Sequence, residues 1–232
     1  MLTVIDAIRQ RRSIRSFRSD PVPDEAIQLM LEAARLAPSG SNRQPWRFIA
    51  VTEAETKARL RRICFDQDFI EEAPLVFVCC ADLTAYTQAS RKKRYQEFID
   101  YGVIDTMSGR FADPVYRASL LAAPDPDFAA LLTPAIANTY IAIEHIVLTA
   151  TALGLGTCWV GALGKPGEIE TMLRLPPTTV VAALLPTGYP TRVPPPRPRQ
   201  SLEEILVRPL PVVVVASPGE PDLLSSGSGD ED

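Results

Sequence analysis

Apolar residues recur at helical spacing twice near the start of the chain. Val4, Ile5, Ala7 and Ile8 follow Thr3, a suitable N-cap, and predict a short helix. Ile27, Met30, Leu31 and Ala34 predict a second, opened by Pro23-Asp24-Glu25 with its acids where the helix dipole favours them, and stopped by Pro38. Trp46 to Thr52 then reads as a strand. Leu75 to Ala81 is a continuous apolar run rich in β-formers, the pattern of a central strand buried on both faces.

From Asp82 to Thr133 the periodicity weakens, and Tyr86, Tyr95, Phe98, Tyr101, Phe111, Tyr116 and Phe128 are scattered among charges and Asp-Pro turns. Connections of this length are usually functional or mobile. These aromatics either line a substrate pocket or belong to small helices packed on the body. Residues 134–153 are apolar on nearly every side and predict a buried helix, suited to a subunit interface. After Gly154-Leu155-Gly156 come a strand at Thr157 to Val160, a short helix near Pro166 to Leu173, a strand near Thr179 to Leu185 and a turn at Pro186 to Pro190. A proline-rich arm, 190–198, precedes Arg199 and a late apolar segment, Leu210 to Ala216. Helices and strands mix without a βαβ rhythm, so the expected class is α+β. The expected organisation is one domain over 1–216, with 83–133 as a variable lid or insertion, and a tail over 217–232 of disordered composition.

Charge refines this picture. The net charge is −4, but the last fifteen residues carry Glu220, Asp222, Asp230, Glu231 and Asp232 and no cation, so the body without them stands at +1. Neither value favours nucleic acid as a partner. No apolar run reaches the roughly 18 residues of a membrane span, and Met1 to Asp6 lacks the features of a secretory signal. The basic run Arg91-Lys92-Lys93-Arg94 reads as a solvated face. Cys64, Cys79, Cys80 and Cys158 form no C-x-x-C pair and read as buried, reduced thiols of a cytoplasmic protein. With His145 as the only histidine, neither a metal site nor a Ser-His-Asp triad is expected. The glycines at 154, 156 and 161 follow a helix, where a dinucleotide-binding turn must follow a strand.

Candidate chemistry gathers in two stretches. Arg11, Arg12, Ser13 and Arg15 place cations and a hydroxyl close enough to hold a phosphate through charge-assisted hydrogen bonds. Arginines at the end of a helix are also favoured by its dipole, so this turn has a purely structural reading too. Pro38-Ser39-Gly40-Ser41-Asn42 forms a polar, backbone-rich loop between a helix and a strand. There Asn42 either meets a ligand or makes an Asx turn before Pro45, and Trp46 reads as core.

In order along the chain, RRSIRSF, VPDEAIQLMLEAARLAPSGSNRQPWRF, EEAPLVFVCCAD, LGLGTCWVGAL, LLPTGYP and RPRQSLEEI resemble the nitroreductase family of FMN-dependent NAD(P)H oxidoreductases. The resemblance covers about residues 3 to 207, apart from most of 83–133. It implies a central mixed sheet flanked by helices, in an interlocked homodimer with two FMN sites built from both subunits. Arg11, Arg12, Ser13 and Arg15 match positions that grip the FMN phosphate and the pyrimidine edge of the ring. Arg197 and Arg199 match basic residues that complete the phosphate site. Pro38, Ser39, Gly40, Ser41 and Asn42 match the loop reaching the flavin from the partner. Gln67 falls where members place an amide on the N3–O4 edge, although the common Asn-Gln pair is here Asp66-Gln67. Thr157, Cys158, Trp159, Val160 and Gly161 match the segment passing near N5, acting through backbone groups.

The activity so implied is ping-pong hydride transfer from NAD(P)H, through flavin N5, to a small electron-poor acceptor such as a nitroaromatic or quinone. The flavin carries the chemistry, so no side chain is expected to act as general acid or base. A specialised member, dehalogenase-like or flavin-fragmenting, and a non-catalytic flavin-binding module are the alternatives.

Overall fold

The computed structural model describes residues 2–206. In chain order the elements are α1 (Val4–Gln10), α2 (Asp24–Arg35), β1 (Trp46–Val51), α3 (Ala54–Ile63), α4 (Phe69–Glu72), β2 (Leu75–Asp82), α5 (Gln88–Asp100), α6 (Pro114–Ala122), α7 (Phe128–Ala152), β3 (Gly156–Thr157), α8 (Glu168–Met172), β4 (Thr179–Gly188) and α9 (Leu202–Ile205). The chain divides into two compact units between Pro195 and Pro196. The apolar segment 210–216 and the acidic tail 217–232 lie outside the described residues.

In the first unit the strands lie in the order β1-β2-β4-β3, each neighbouring pair antiparallel. Beside this antiparallel sheet, one isolated parallel bridge joins Ser13 to Thr157. The continuous apolar run is β2, a central strand, and its residues alternate between two cores. Val76, Val78 and Cys80 join Leu60, Ile70 and Leu184 on one side of the sheet. Leu75, Phe77 and Cys79 join Met30, Ile143 and Ile146 on the other. A bulge between Cys79 and Cys80 lets Ala183 pair with Cys79 and Val181 with Cys80, leaving Ala182 as the extra residue. That slip places Val181 in the first core and Ala183 in the second, although they are two residues apart.

Thr3 caps α1 as expected, its hydroxyl accepting from the Asp6 amide at 3.2 Å. The buried helix begins earlier than its apolar pattern, at Phe128, with Pro134 inside it. There the Asn138 side chain donates to the Pro134 carbonyl at 2.8 Å. At 25 residues and a mean hydropathy of 1.4, α7 is long and apolar enough to cross a membrane by composition alone. Instead it buries Ala142, Ile143, Ile146, Val147 and Ala150 against α2 and the sheet. The only histidine ties these helices together, its Nδ1 lying 3.0 Å from the Ala33 carbonyl.

Two regions depart from the pattern reading. Residues 54–63 carry the unexpected helix α3, whose mostly polar sequence buries only Lys57 and Leu60. The expected strand at Thr157 to Val160 is reduced to β3 plus a bridge at Val160. Between β2 and α7 stand the small helices α5 and α6 with short 3-10 turns; Tyr95 and Phe98 lie on α5, Tyr116 on α6, and Tyr101 is exposed. Burial pushes the Cys64 and Cys80 thiols up to about 11 and about 12, and the Cys79 thiol well above its ordinary value. They are inert core residues.

In the second unit, Ser201 and Glu204 form a capping box around α9, each side chain taking the other's backbone N–H.

Candidate functional site

The arginine turn begins where α1 ends, and its four polar residues have different fates. The Arg11 amide closes α1 on the Ala7 carbonyl at 2.9 Å. Arg12 folds its guanidinium back over the same helix end, donating to the carbonyls of Arg9 at 2.7 Å and Arg11 at 2.8 Å. For Arg12, then, the helix-end reading describes the geometry. Ser13 bridges Thr157, and the Ile14 amide donates to the Thr157 carbonyl at 2.9 Å. Arg15 is exposed and places its guanidinium 5.8 Å from the centre of the Phe69 ring.

These contacts join the turn to two other expected pieces. One is the 157–161 segment. Its Cys158 and Val160 amides donate to Pro186 and Leu184 of β4, so its other edge faces the arginine turn. Thr157, Cys158 and Val160 are buried, Cys158 and Val160 within the first core. A Cβ on Gly161 would meet nothing within 4 Å. The second piece is the corner between α3 and α4. Phe65 and Asp66 turn it with positive φ of 60° and 51°, and Gln67 fixes it by donating its amide to the Cys64 carbonyl at 2.9 Å. The Gln67 side-chain oxygen remains as an acceptor two residues before Phe69. Through these contacts the arginine turn touches Thr157 on one side and, by way of Arg15, the Phe69 ring of α4 on the other.

The Pro38–Asn42 loop lies apart. Its acceptor is Ser39, which takes the Gln44 amide at 3.0 Å, so the Asx-turn reading of Asn42 is not realised. Gly40 donates to Asn138 of α7 at 3.1 Å, and Asn138 donates to the Tyr86 hydroxyl at 2.9 Å. Ser41 and Asn42 hold left-handed φ of 50° and 52° and, like Pro38, are exposed. Among the described residues no hydrogen bond or ion pair joins this loop to the arginine turn. Trp46 is core, 7 % exposed. Arg197 and Arg199 belong to the second unit, where Arg199 donates to the Pro198 carbonyl at 3.1 Å.

Sequence reasoning missed Glu144 and the partners of Trp159. Trp159 packs edge-on against Tyr140 of α7, ring centres 5.1 Å apart. Burial raises the Glu144 carboxyl above its ordinary value, while the Arg11 charge and a hydrogen bond to Trp159 pull it back. The visible signal was a lone acid in an otherwise apolar helical run. A carboxyl whose pKa is raised in the folded state binds protons more tightly there than in the unfolded chain. Its stabilising contribution is therefore complete below the ordinary value of 4.5 and is lost as pH rises through the folded value. Glu144→Gln is expected to gain Tm relative to the parent as pH rises above 4.5. Thermal denaturation at pH steps across that range checks this, and a difference independent of pH contradicts it.

A family model described as the nitroreductase family matches residues 8–189. A Thermus thermophilus protein named NADH dehydrogenase is 35% identical over 89% of this chain and 97% of its own. A Bacillus subtilis protein named FMN reductase [NAD(P)H] is 29% identical over 82% of this chain and 67% of its own. In fold, the chain is similar to the solved NADPH:FMN oxidoreductase of Vibrio harveyi complexed with NAD+. That likeness has a TM-score of 0.68 at 22% identity, over 95% of this chain and 80% of that one. By the match over residues 8–189 and the 35% identity to the Thermus protein, the chain belongs to the nitroreductase family.

Proposed function

We propose that this protein is an FMN-dependent oxidoreductase that takes hydride from NAD(P)H and passes the electron pair to a small electron-poor acceptor, such as a nitroaromatic or a quinone. The observation carrying this reading is the pairing of the arginine turn with Thr157 and the approach of Arg15 to Phe69, two residues after Gln67. The names of the Thermus and Bacillus relatives support it.

The donor set fits FMN. Arg11 and the Ser13 hydroxyl suit a phosphate. Arg15 offers a positive charge where negative charge arrives with the electron pair. Gln67 would present an acceptor to an imide N–H, and the backbone of 157–161 would orient the ring. When bound, FMN supplies a ring that accepts a hydride and later releases the electron pair. NAD(P)H and the acceptor take turns at one exposed face. With a quinone, NAD(P)H and a proton are consumed and NAD(P)+ and the quinol are formed.

The site is shared between two copies of the chain. Within one chain the Pro38–Asn42 loop has no bond to the arginine turn, and a partner's loop would complete the site. Helices α1 and α2 each pack on α7, and Val4, Ile5, Ile8, Leu29 and Ile141 of these helices, with Leu36 at the end of α2, are exposed. Apolar surface on that scale marks an interface, and two-fold homodimers are the commonest closed assembly. A cytoplasmic location accords with four buried, reduced thiols.

Steady-state kinetics test the reading. Varying NAD(P)H at several concentrations of a quinone is expected to give parallel double-reciprocal lines, with sedimentation showing a dimer. Intersecting lines, or a monomer that retains FMN tightly, contradict it.

A further inference from the structure

The basic run of α5 is not one solvated face. Lys92 and Lys93 are exposed, whereas Arg91 and Arg94 are half-buried. Arg91, Arg94, Tyr95 and Phe98 share one stripe of the helix and line a cavity of about 100 Å³. Arg117 on α6 lines it too, as do Ser41 and Arg43 beside the Pro38–Asn42 loop. Four arginines thus contribute to the lining of one small space.

Their charge is poorly balanced. Of the four, only Arg94 has a carboxylate partner among the described residues, Glu97 at 2.6 Å. Arg91 donates to the carbonyls of Tyr86, Ala123 and Pro124, and Arg117 to that of Phe111. Those bonds tie the small helices together, but each of these two arginines keeps a buried Nε–H without an acceptor. Arg43 lies 5.5 Å from the centre of the Tyr86 ring; burial, and then the charge of Arg91, hold its pKa below the ordinary value. Unpaired like charges removed from water are costly, and an anion among them would offset that cost.

The rest of the wall selects the kind of anion. Tyr95, Phe98 and Phe111 supply aromatic surface, with Met107 and Leu120 beside them. The space is smaller than the ~150 Å³ that holds a benzene molecule in an apolar core, so it suits one ring at its open mouth and not a dinucleotide. We propose that this cavity binds a small aromatic carboxylate, its carboxylate held by the Arg43–Arg91–Arg94–Arg117 group and its ring on the aromatic wall. Ser41 belongs both to this wall and to the loop assigned above to a flavin site. Resting on that flavin reading, the inference extends to the substrate: acceptors carrying an aromatic carboxylate are reduced best.

The test compares benzoate with benzamide, its neutral analogue, by isothermal titration of the FMN-loaded protein. Benzoate is expected to bind about tenfold more tightly or better, the gain of a charge-assisted hydrogen bond. Arg117→Gln is expected to weaken benzoate about tenfold by the same measure, while Lys93→Gln, on the exposed face, leaves it unchanged. Equal affinity for the two compounds, equal losses in both variants, or tighter binding of inorganic phosphate than of benzoate overturns the proposal. Should Arg117→Gln fail to fold, Arg94→Gln replaces it, and the benzoate–benzamide comparison decides on the unaltered protein alone. Kinetically, 4-nitrobenzoate should exceed its methyl ester in kcat/KM, and that preference should fall in Arg117→Gln. Turnover of both without preference overturns the inference and leaves the flavin reading standing. Tight benzoate binding without any NAD(P)H-driven turnover supports the carboxylate site and defeats the flavin reading.

Discussion

Replacing Arg11 and Arg15 together with alanine is expected to weaken FMN retention about a hundredfold. Charge-assisted hydrogen bonds contribute roughly 1.5–3 kcal/mol each, and Arg15 is exposed in the single chain, so the lower figure applies. Two such losses come to about 3 kcal/mol, or about a hundredfold in Kd. Quenching of FMN fluorescence on binding measures it directly. The neighbouring Arg12→Ala supplies the contrast, because its guanidinium is engaged by the carbonyls of Arg9 and Arg11. Its loss should lower helix and protein stability by about 0.5–1.5 kcal/mol, with a much smaller effect on FMN. Equal Kd in the parent and the double variant would mean that the phosphate lies elsewhere.

Gly156→Ala is expected to damage the fold and the site together. A Cβ at this position would fall on the buried Ile14 side chain, 2.8 Å from the Ile14 Cβ. Ile14 must move, and it sits between Ser13 and Arg15 in the turn whose amide meets Thr157. Overpacking of this kind costs about 1–3 kcal/mol, and the displaced turn should also release FMN more readily. Gly161→Ala separates the two effects. Its Cβ would enter open space, so stability should stay within about 0.5 kcal/mol of the parent. Urea denaturation measures both variants, and an unchanged midpoint for Gly156→Ala would show that Ile14 has room to relax.

The parts of the fold legible in the sequence are those whose burial is continuous or strictly periodic. Leu75 to Ala81 announces a strand covered on both faces, and the alternation of Cys79 and Cys80 follows from the pleat. Helix α3 escaped notice because the core touches it only at Lys57 and Leu60, too thin a stripe to set a period. The strand after Gly156 is short, and its Thr157 pairs with Ser13 of the distant arginine turn, a tertiary contact that carries no local signal.

The site was legible as a set of residue types, but their division of labour was not. Arg11, Arg12 and Arg15 look alike in sequence, and only the path of the chain turns Arg12 onto α1 while leaving Arg15 exposed. Likewise Arg91 and Lys92 belong to one basic run, yet the helical period points them to different surroundings. Glu144 and Asn138 are polar exceptions in an apolar run that passed unremarked, because their partners come from distant segments and carry no local signal.

The central claim is that this chain holds FMN where NAD(P)H can reduce it, and one anaerobic titration tests it. NADH or NADPH is added to the FMN-loaded protein without any acceptor, and the visible flavin absorption is followed. The account predicts bleaching complete at one equivalent per bound flavin, with colour restored by an added quinone. A flavin that stays yellow with both nucleotides, or protein that cannot be loaded with FMN at all, contradicts it.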